Sequence, residues 1–285
     1  MTESPAAEVT AAAAGSGNAG VGRGLILALD AGSPVISAAV GVGGEVLAAR
    51  AVALERSSTQ LLALVAEVLA AAAARPADLA GLVALAGPGS FTGLRVGLAT
   101  ALGLAQGLGV PALALPSLAA MAAASGAPPG TLVIAAVDAL RGEWSAQAFR
   151  AGPVPCPLGE MVLAPAGELL RRLAPGPVTG WIGAETLETP KNPPEAPATT
   201  ASGEAPVIVA FGVSALARGG DAAGDRTRFQ EASPLAPAAL RLAAATPRAS
   251  WETSGLAAPI YSRPPATTSP KKPRPRQPRP ETPPP

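Results

Sequence analysis

The sequence contains no histidine among its 285 residues. This absence excludes zinc sites built on histidine, Ser-His-Asp triads, Cys-His pairs and acid–base catalysis by an imidazole. Cys156 is the only cysteine and stands between two prolines, so the chain can form neither an intrachain disulfide nor a cysteine cluster. We therefore expect a reducing, cytoplasmic setting.

Aromatic residues and net charge are also scarce. Aromatics make up 3% of the chain and the formal net charge is +1, so no overall field favours nucleic acid or a membrane surface. Residues 96–137 carry no charge at all, and residues 96–115 resemble a membrane span in hydropathy. However, Gln106, Pro111 and Pro116 interrupt that segment. A buried helix followed by a buried strand explains it better, and we expect no membrane association.

Hydrophobic patterning predicts an α/β protein. In the first part of the chain it predicts three strands, a helix, a strand and a helix, at residues 25–29, 35–42, 45–54, 58–74, 81–86 and 92–108. A helix that connects two strands of one sheet forms a crossover, and strands joined in this way pair in parallel. The second part repeats the start less regularly, with strands, a helix and further strands predicted at residues 132–137, 143–150, 168–173, 178–182 and 207–211.

Composition and element order together predict the domain organisation. Residues 1–23 read as a disordered lead-in, 24–116 as an intact N-terminal βββαβα lobe, and 117–263 as a smaller, degenerate second lobe. The Pro/Thr/Ala/Glu-rich stretch 188–206 predicts a disordered insertion, and residues 264–285 a disordered, basic, Pro-rich tail.

A glycine-rich string follows the predicted strand at residues 81–86. Its functional candidates are Gly87, Gly89, Ser90, Phe91, Thr92, Gly93 and Arg95. The glycines allow close approach to another chain or ligand, and Ser90 or Thr92 can cap the helix that follows. The alternative is a tight strand-to-helix turn that binds nothing. No lysine follows these glycines, which excludes a P-loop.

Two aspartates end equivalent strands in the two halves. Asp30, with Gly32 and Ser33 in the turn after it, and Asp138 are candidates for holding a nucleotide or positioning a metal ion. In that case the chain would be a nucleotide-hydrolysing or phosphotransfer enzyme. The alternative is that both carboxylates cap the turns at the strand ends.

The two-lobe order and the Asp30–Ser33 turn resemble the actin/Hsp70/sugar-kinase (ASKHA) superfamily. The string at residues 87–95, with residues 96–101, 137–143 and 260–263, resembles the TsaB (YeaZ-type) family. The resemblance implies a non-catalytic subunit that dimerises with the catalytic TsaD to place threonylcarbamoyl on adenosine 37 of tRNA. It also implies that a TsaE-type ATPase joins the complex and that tRNA binds through it. It implies no metal or cofactor of the chain's own, and self-association when TsaD is absent. ATP or ADP is a candidate ligand of the assembled complex, and nucleotide binding by this chain alone stays open.

Two departures from that family bear on function. Ser57-Ser58-Thr59 stand where the family usually has His-Ser-Glu, and Ser57 can cap the helix in place of the histidine. The catalytic relative binds metal through histidines. The lack of any histidine therefore argues against this chain being the transferase.

The helices predicted at residues 58–74 and 92–108 are apolar most of the way round, which predicts burial on more than one side. In the resembling family this helix pair faces TsaD. We therefore predict a partner interface at Leu61, Leu64, Val65, Val68, Leu94, Gly97, Leu98 and Ala101. The alternative is that the apolar surplus only reflects an alanine-rich composition.

Overall fold

The computed structural model describes residues 24–53, 60–173, 206–218 and 227–263. Several sequence predictions lie outside these ranges: the lead-in at 1–23, the cap at Ser57, the strand at 178–182, nearly all of the insertion at 188–206 and the tail at 264–285.

The first sheet has five strands in the order β3-β2-β1-β4-β5. In chain order they are β1 (Leu25–Asp30), β2 (Val35–Val42), β3 (Glu45–Ala53), β4 (Leu79–Gly87) and β5 (Ala112–Pro116). The β1-β2-β3 meander is antiparallel, whereas β4 and β5 add in parallel. The predicted order and the predicted parallel crossovers are confirmed.

Two helices cover one face of this sheet, as the crossover connections require. They are α1 (Gln60–Ala71), which packs on β2 and β3, and α2 (Phe91–Leu108), which packs mainly on β4. Their apolar stripes and one face of the sheet form a single core, centred on residues such as Leu27, Val68 and Leu98. None of the helices in the described ranges has the length and hydropathy needed to cross a bilayer.

The second sheet repeats the start of the first. Its strands are β6 (Leu132–Asp138), β7 (Glu143–Arg150), β8 (Cys156–Pro157), β9 (Val162–Pro165), β10 (Val207–Ala210) and β11 (Arg228–Glu231). The order is β11-β10-β6-β7-β8, with β9 also paired to β7. As in the first sheet, a strand ending in aspartate pairs antiparallel with the next strand and parallel with a later one. The repeat predicted from the sequence is therefore present.

Four α-helices lie in the described ranges of the second half: α3 (Ser117–Ala124), α4 (Ala166–Leu173), α5 (Val213–Arg218) and α6 (Ala236–Ala245). Helices α4 and α5 pack on the second sheet only, whereas α3 contacts strands of both sheets and also α6. Helix α6 packs on β1 to β4, where the Ala236 amide donates to Ser37 Oγ at 3.2 Å. These two alanine-rich helices therefore join the sheets in one core. The boundary at residue 116 stays a prediction.

Candidate functional site

The glycine-rich string forms the loop from β4 into α2, and it packs against the turn that follows β1. The Ser90 amide donates a hydrogen bond to the Gly32 carbonyl at 2.8 Å. The Gly93 amide donates to Ser90 Oγ at 3.3 Å. Ser90 is thus the cap of α2, and Thr92 lies inside the helix.

The glycines in this loop allow two backbones to touch. A Cβ on Gly89 would lie 2.6 Å from the Gly32 carbonyl oxygen, and one on Gly93 would overlap the Ala31 carbonyl oxygen. Real Cβ atoms essentially never approach an atom so closely. The space that the glycines leave is therefore filled by the chain's own turn, which favours the packing interpretation for Gly89 and Gly93.

Asp30 lies at the centre of that turn and is completely buried. Its Oδ1 accepts hydrogen bonds from the amides of Gly32 at 3.0 Å and Ser33 at 3.3 Å, and its Oδ2 has no hydrogen-bond partner. Burial raises the pKa of Asp30 to about 6, against the lowering effect of hydrogen bonding by the Ser33 side chain and by the amides of Gly32 and Ser33. Because the carboxylate faces its own turn, the structure favours the turn-cap interpretation over a metal-positioning one.

A cleft of about 930 Å³ opens between the two sheets. It lies outside the carboxyl ends of β1 and β4 on one side and of β6 and β10 on the other, where open α/β sheets bind ligands. Of the predicted site residues, the cleft brings together Gly32, Ser33, Gly89, Ser90, Phe91, Thr92 and Asp138. Asp30, Gly87, Gly93 and Arg95 do not line it.

The second-lobe wall of the cleft is a tight turn between β6 and β7. Asp138 is exposed, and its Oδ1 accepts a hydrogen bond from the Leu140 amide at 2.7 Å. Leu140 and Arg141 have φ angles of 64° and 59°. Such left-handed conformations cost a non-glycine residue on the order of 1 kcal/mol. Asp138 therefore caps a strained turn, as the second interpretation of the sequence predicts.

A metal ion would need several ligands close together. In the part of the chain that the structure describes, no three carboxylate, cysteine or histidine side chains form such a group. The cleft instead offers hydroxyl groups from Ser33, Ser90 and Thr92, and the cation of Arg141. These groups could bind an anionic ligand, and they provide no metal cage.

Comparison with known proteins gives similarities in sequence and in structure. The family model described as "TsaD: tRNA N6-adenosine threonylcarbamoyltransferase" matches residues 49–176. The protein named tRNA threonylcarbamoyladenosine biosynthesis protein TsaB from Escherichia coli (strain K12) is 34% identical over 119 residues, which cover 41% of this chain and 52% of that protein. The protein of the same name from Haemophilus influenzae is 35% identical over 119 residues, which cover 41% and 50%. The chain thus spans about half the length of the curated relatives it matches.

Two solved structures from Pseudomonas aeruginosa share the fold. An uncharacterized protein with similarity to peptidase YEAZ is 22% identical, with a TM-score of 0.64 over 84% of this chain and 100% of the other. YeaZ is 21% identical, with a TM-score of 0.62 over 84% and 99%. The chain is therefore similar to TsaB in sequence and to YeaZ in fold. The predicted two-lobe ASKHA-like α/β fold is confirmed by these similarities together with the repeated sheet pattern.

The residues predicted for the partner interface lie on the inward faces of α1 and α2. All eight are buried within the chain itself: Leu61, Leu64, Val65, Val68, Leu94, Gly97, Leu98 and Ala101. A Cβ on Gly97 would lie 3.2 Å from Ala31 Cβ, so a bulky side chain there would disturb the fold itself. The apolar patterns in the sequence thus identified the buried faces of the two helices and not their exposed faces.

The outer face of these helices is exposed and nearly uncharged. On α1 it carries alanines, the carboxylate of Glu67, and Leu62, whose exposed fraction is 59%. On α2 a Cβ on either Gly103 or Gly107 would meet nothing within 4 Å. Exposed neighbours of these glycines on α2 are Ala99 and Gln106. These residues are therefore candidates for a partner surface on the two helices.

Sequence reasoning singled out Phe91 and Arg95 but missed Tyr261, which joins them in a cluster at the cleft mouth. Arg95 Nε donates to Tyr261 Oη at 3.1 Å, and its guanidinium carbon lies 3.9 Å from the centre of the Phe91 ring. The rings of Phe91 and Tyr261 are 5.1 Å apart between centroids. Two signals in the sequence pointed to Tyr261: it is the single tyrosine of an aromatic-poor chain, and it lies in the segment 260–263 that resembles the family.

Proposed function

We propose that this chain is a non-catalytic partner subunit in the formation of threonylcarbamoyladenosine on tRNA. The observation that carries the proposal is the 34–35% identity to two proteins named for threonylcarbamoyladenosine biosynthesis. The match of residues 49–176 to the TsaD family model supports a place in the same process. In this proposal the chain works in the cytoplasm, pairs with a TsaD-like subunit, and meets tRNA and a TsaE-like ATPase only through that complex.

The absence of histidine supports a non-catalytic role. Without a histidine the chain lacks the metal ligands that the resemblance associates with the transferase. Asp30, the strand-end carboxylate best placed in sequence for metal binding, is buried with its own turn as its hydrogen-bond partner. The transfer step is therefore assigned to the partner subunit.

The outer face of α1 and α2 supports a helix-on-helix interface. Gly103 and Gly107 leave the surface of α2 flat, so a helix of the partner could approach closely. On α1, Leu62 is an exposed apolar side chain. Exposed apolar patches bounded by polar groups mark interaction surfaces, and here Glu67 and Gln106 provide the polar groups. In the absence of the TsaD-like subunit, the same face would pair with a second copy of this chain.

Co-purification with a TsaD-like subunit tests the proposal. Gly103→Arg places a long charged side chain on the outer face, where the structure leaves room for it, so the chain stays folded and binding is expected to be lost. Ala245→Arg is the matched control, because it adds the same side chain at an exposed position of α6. Retention of the partner by folded Gly103→Arg would show that the interface lies elsewhere.

The interlobe cleft favours a second candidate function. It joins Ser33, Ser90 and Thr92 of one lobe with Asp138 and Arg141 of the other. Such a site suits a nucleotide, and the chain would then be an ASKHA-type ATPase or phosphotransferase. Of the two aspartates predicted for that role, Asp138 lines the cleft and Asp30 is buried. Binding of ATP or ADP by the isolated chain would favour this reading. If ATP or ADP binds to the assembled complex and not to the isolated chain, the non-catalytic partner function is favoured.

A further inference from the structure

A short segment near the end of the described chain, residues 259–263, runs along the mouth of the cleft. We call it the strap. Tyr261, Ser262 and Arg263 form part of the cleft wall. The strap lies more than 100 residues along the chain from the cleft residues of the first lobe and of the β6–β7 turn. The contacts of the strap with these cleft residues are therefore tertiary.

On the first lobe the strap is held by backbone and ring contacts. The Ile260 amide donates to the Ala86 carbonyl at 2.6 Å, and a Cβ on Gly87 would overlap the Ile260 carbonyl oxygen. Gly87 thus leaves the space in which the strap lies. Tyr261 continues the attachment through its contacts with Phe91 and Arg95 at the start of α2.

On the second lobe the strap is held by one side chain. Arg263 forms an ion pair with Glu143, the first residue of β7, and its Nη1 donates to the Ala139 carbonyl at 3.5 Å. The Ala139 amide in turn donates to the Glu143 carbonyl at 2.9 Å, so both contacts fall on the same closed turn. The two side chains of the ion pair are 30% and 35% exposed, and salt therefore screens the pair.

The strap is attached more firmly to the first lobe than to the second. The first-lobe end combines a backbone hydrogen bond, a close glycine contact and a ring cluster, whereas the second-lobe end depends on Arg263. Away from the cleft mouth the lobes are joined permanently, because α3 and α6 share one core with both sheets. Any opening of the cleft must therefore hinge on that core and separate the lobes at the mouth, where the strap crosses.

We propose that the strap is an interlobe latch that sets the width of the cleft, and that the Arg263–Glu143 ion pair is its releasable end. With the pair formed, the β6–β7 turn is held against the start of α2 and the cleft stays narrow. With the pair broken, the strap stays on the first lobe while the second lobe is free to swing away. The latch requires no ligand and does not depend on the function proposed above.

A distance measurement between the lobes tests the latch. Cys156 is exposed on β8 of the second sheet and provides one labelling site. Ala99→Cys on the exposed face of α2 provides the other. We would attach nitroxides to both and measure their separation by double electron–electron resonance, with unlabelled chain in excess to remove distances between copies.

The latch predicts a narrow distance distribution in the parent. Arg263→Gln and Glu143→Gln should each broaden it toward longer distances, and the double variant should do no more than either alone. Exchanging the charges, Arg263→Glu with Glu143→Arg, should restore the narrow distribution. Arg172→Gln is the matched control, because it breaks an exposed ion pair with Glu168 on α4, away from the cleft.

Raising the salt concentration on the parent tests the same point without a substitution, and it should reproduce the broadening. The proposal is overturned if the folded Gln variants superimpose on the parent. It is equally overturned if high salt leaves the parent distribution unchanged, or if Arg172→Gln broadens it as much.

Discussion

The amide of Ser90 donates to the carbonyl of Gly32 at 2.8 Å, and this bond joins the loop after β4 to the turn after β1. The two most recognisable short patterns of the sequence, 87–95 and 30–33, are thus two halves of one packed unit. Each requires the other, because the glycines of the loop leave space for the backbone of the turn. This close packing explains why the connection from β4 to α2 needs particular residue types along 87–95.

We expect Gly93→Ala to destabilise the protein by about 1–3 kcal/mol, the cost of overpacking a well-packed site. Its Cβ would overlap the Ala31 carbonyl oxygen, and that backbone cannot move without disturbing the turn. Gly103→Ala in the same helix is the control. Its Cβ meets nothing, so the higher helix propensity of alanine should stabilise the protein by up to about 1 kcal/mol. Urea unfolding of both variants measures the difference, and equal stabilities would contradict the packing role.

The stability of the protein should depend on the ionisation of Asp30. Its pKa rises from 3.8 to about 6 on folding, so between about pH 4 and pH 6 the folded state binds more protons than the unfolded state. The contribution of this group to the free energy of unfolding therefore falls as the pH rises through that window, by about 3 kcal/mol in all.

Asp30→Asn removes this titration and keeps an oxygen for the amides of Gly32 and Ser33. The difference in unfolding free energy between the variant and the parent should shift in favour of the variant as the pH rises from 4 to 7. Urea unfolding at both pH values measures this shift. A difference that does not change with pH would show that Asp30 titrates normally in the folded protein.

The first sheet was predictable because its strands are continuous apolar runs bounded by turn residues such as Gly43-Gly44 and the string at 87–95. Helices α3 and α6 were not predicted. Alanine dominates both, so buried and exposed positions look alike in sequence, and only the two facing sheets determine that they are buried. Short strands such as β9 and β11 exist through pairing with neighbours and have little pattern of their own.

The candidate site was predictable only where its residues are close in sequence. The capping role of Ser90 followed from the string itself, whereas the contact of Arg95 with Tyr261 joins residues 166 positions apart. The residues predicted for the interface are buried for a physical reason. An apolar stripe such as Leu61 to Val68 indicates the face that a helix buries, and here the chain's own sheet covers it.

We expect the purified chain alone neither to hydrolyse ATP appreciably nor to transfer threonylcarbamoyl. Both aspartates cap turns: Asp30 accepts a hydrogen bond from the Gly32 amide, and Asp138 at the cleft rim accepts one from the Leu140 amide. Steady-state phosphate release and a tRNA modification assay, with and without the TsaD-like subunit, measure the two activities. A substantial ATPase rate that is lost in Asp138→Asn would favour the second candidate function.

Removing the tail from residue 264 onward should leave the melting temperature unchanged, because its Pro-rich, charged composition cannot bury an apolar face. The tail carries five cations: Lys271, Lys272, Arg274, Arg276 and Arg279. If they neutralise tRNA phosphates, the truncated complex should bind tRNA more weakly at low salt and with a smaller salt dependence. A full-length variant with these five residues changed to glutamine should behave like the truncation. Unchanged tRNA binding at low salt would show that the tail has no electrostatic role.

Leu62→Glu should weaken binding to the TsaD-like subunit by about tenfold or more, equivalent to at least about 1.4 kcal/mol. The side chain is 59% exposed on the outer face of α1, so a charge there leaves the fold intact but must be desolvated when a partner helix covers it. Leu140→Glu is the matched control, because Leu140 is 70% exposed and lies at the cleft rim, away from α1. Titration calorimetry on the two variants measures the difference. Equal loss of affinity in both would indicate that the partner covers the cleft rim as well, and no loss in Leu62→Glu would exclude the outer face of α1 from the interface.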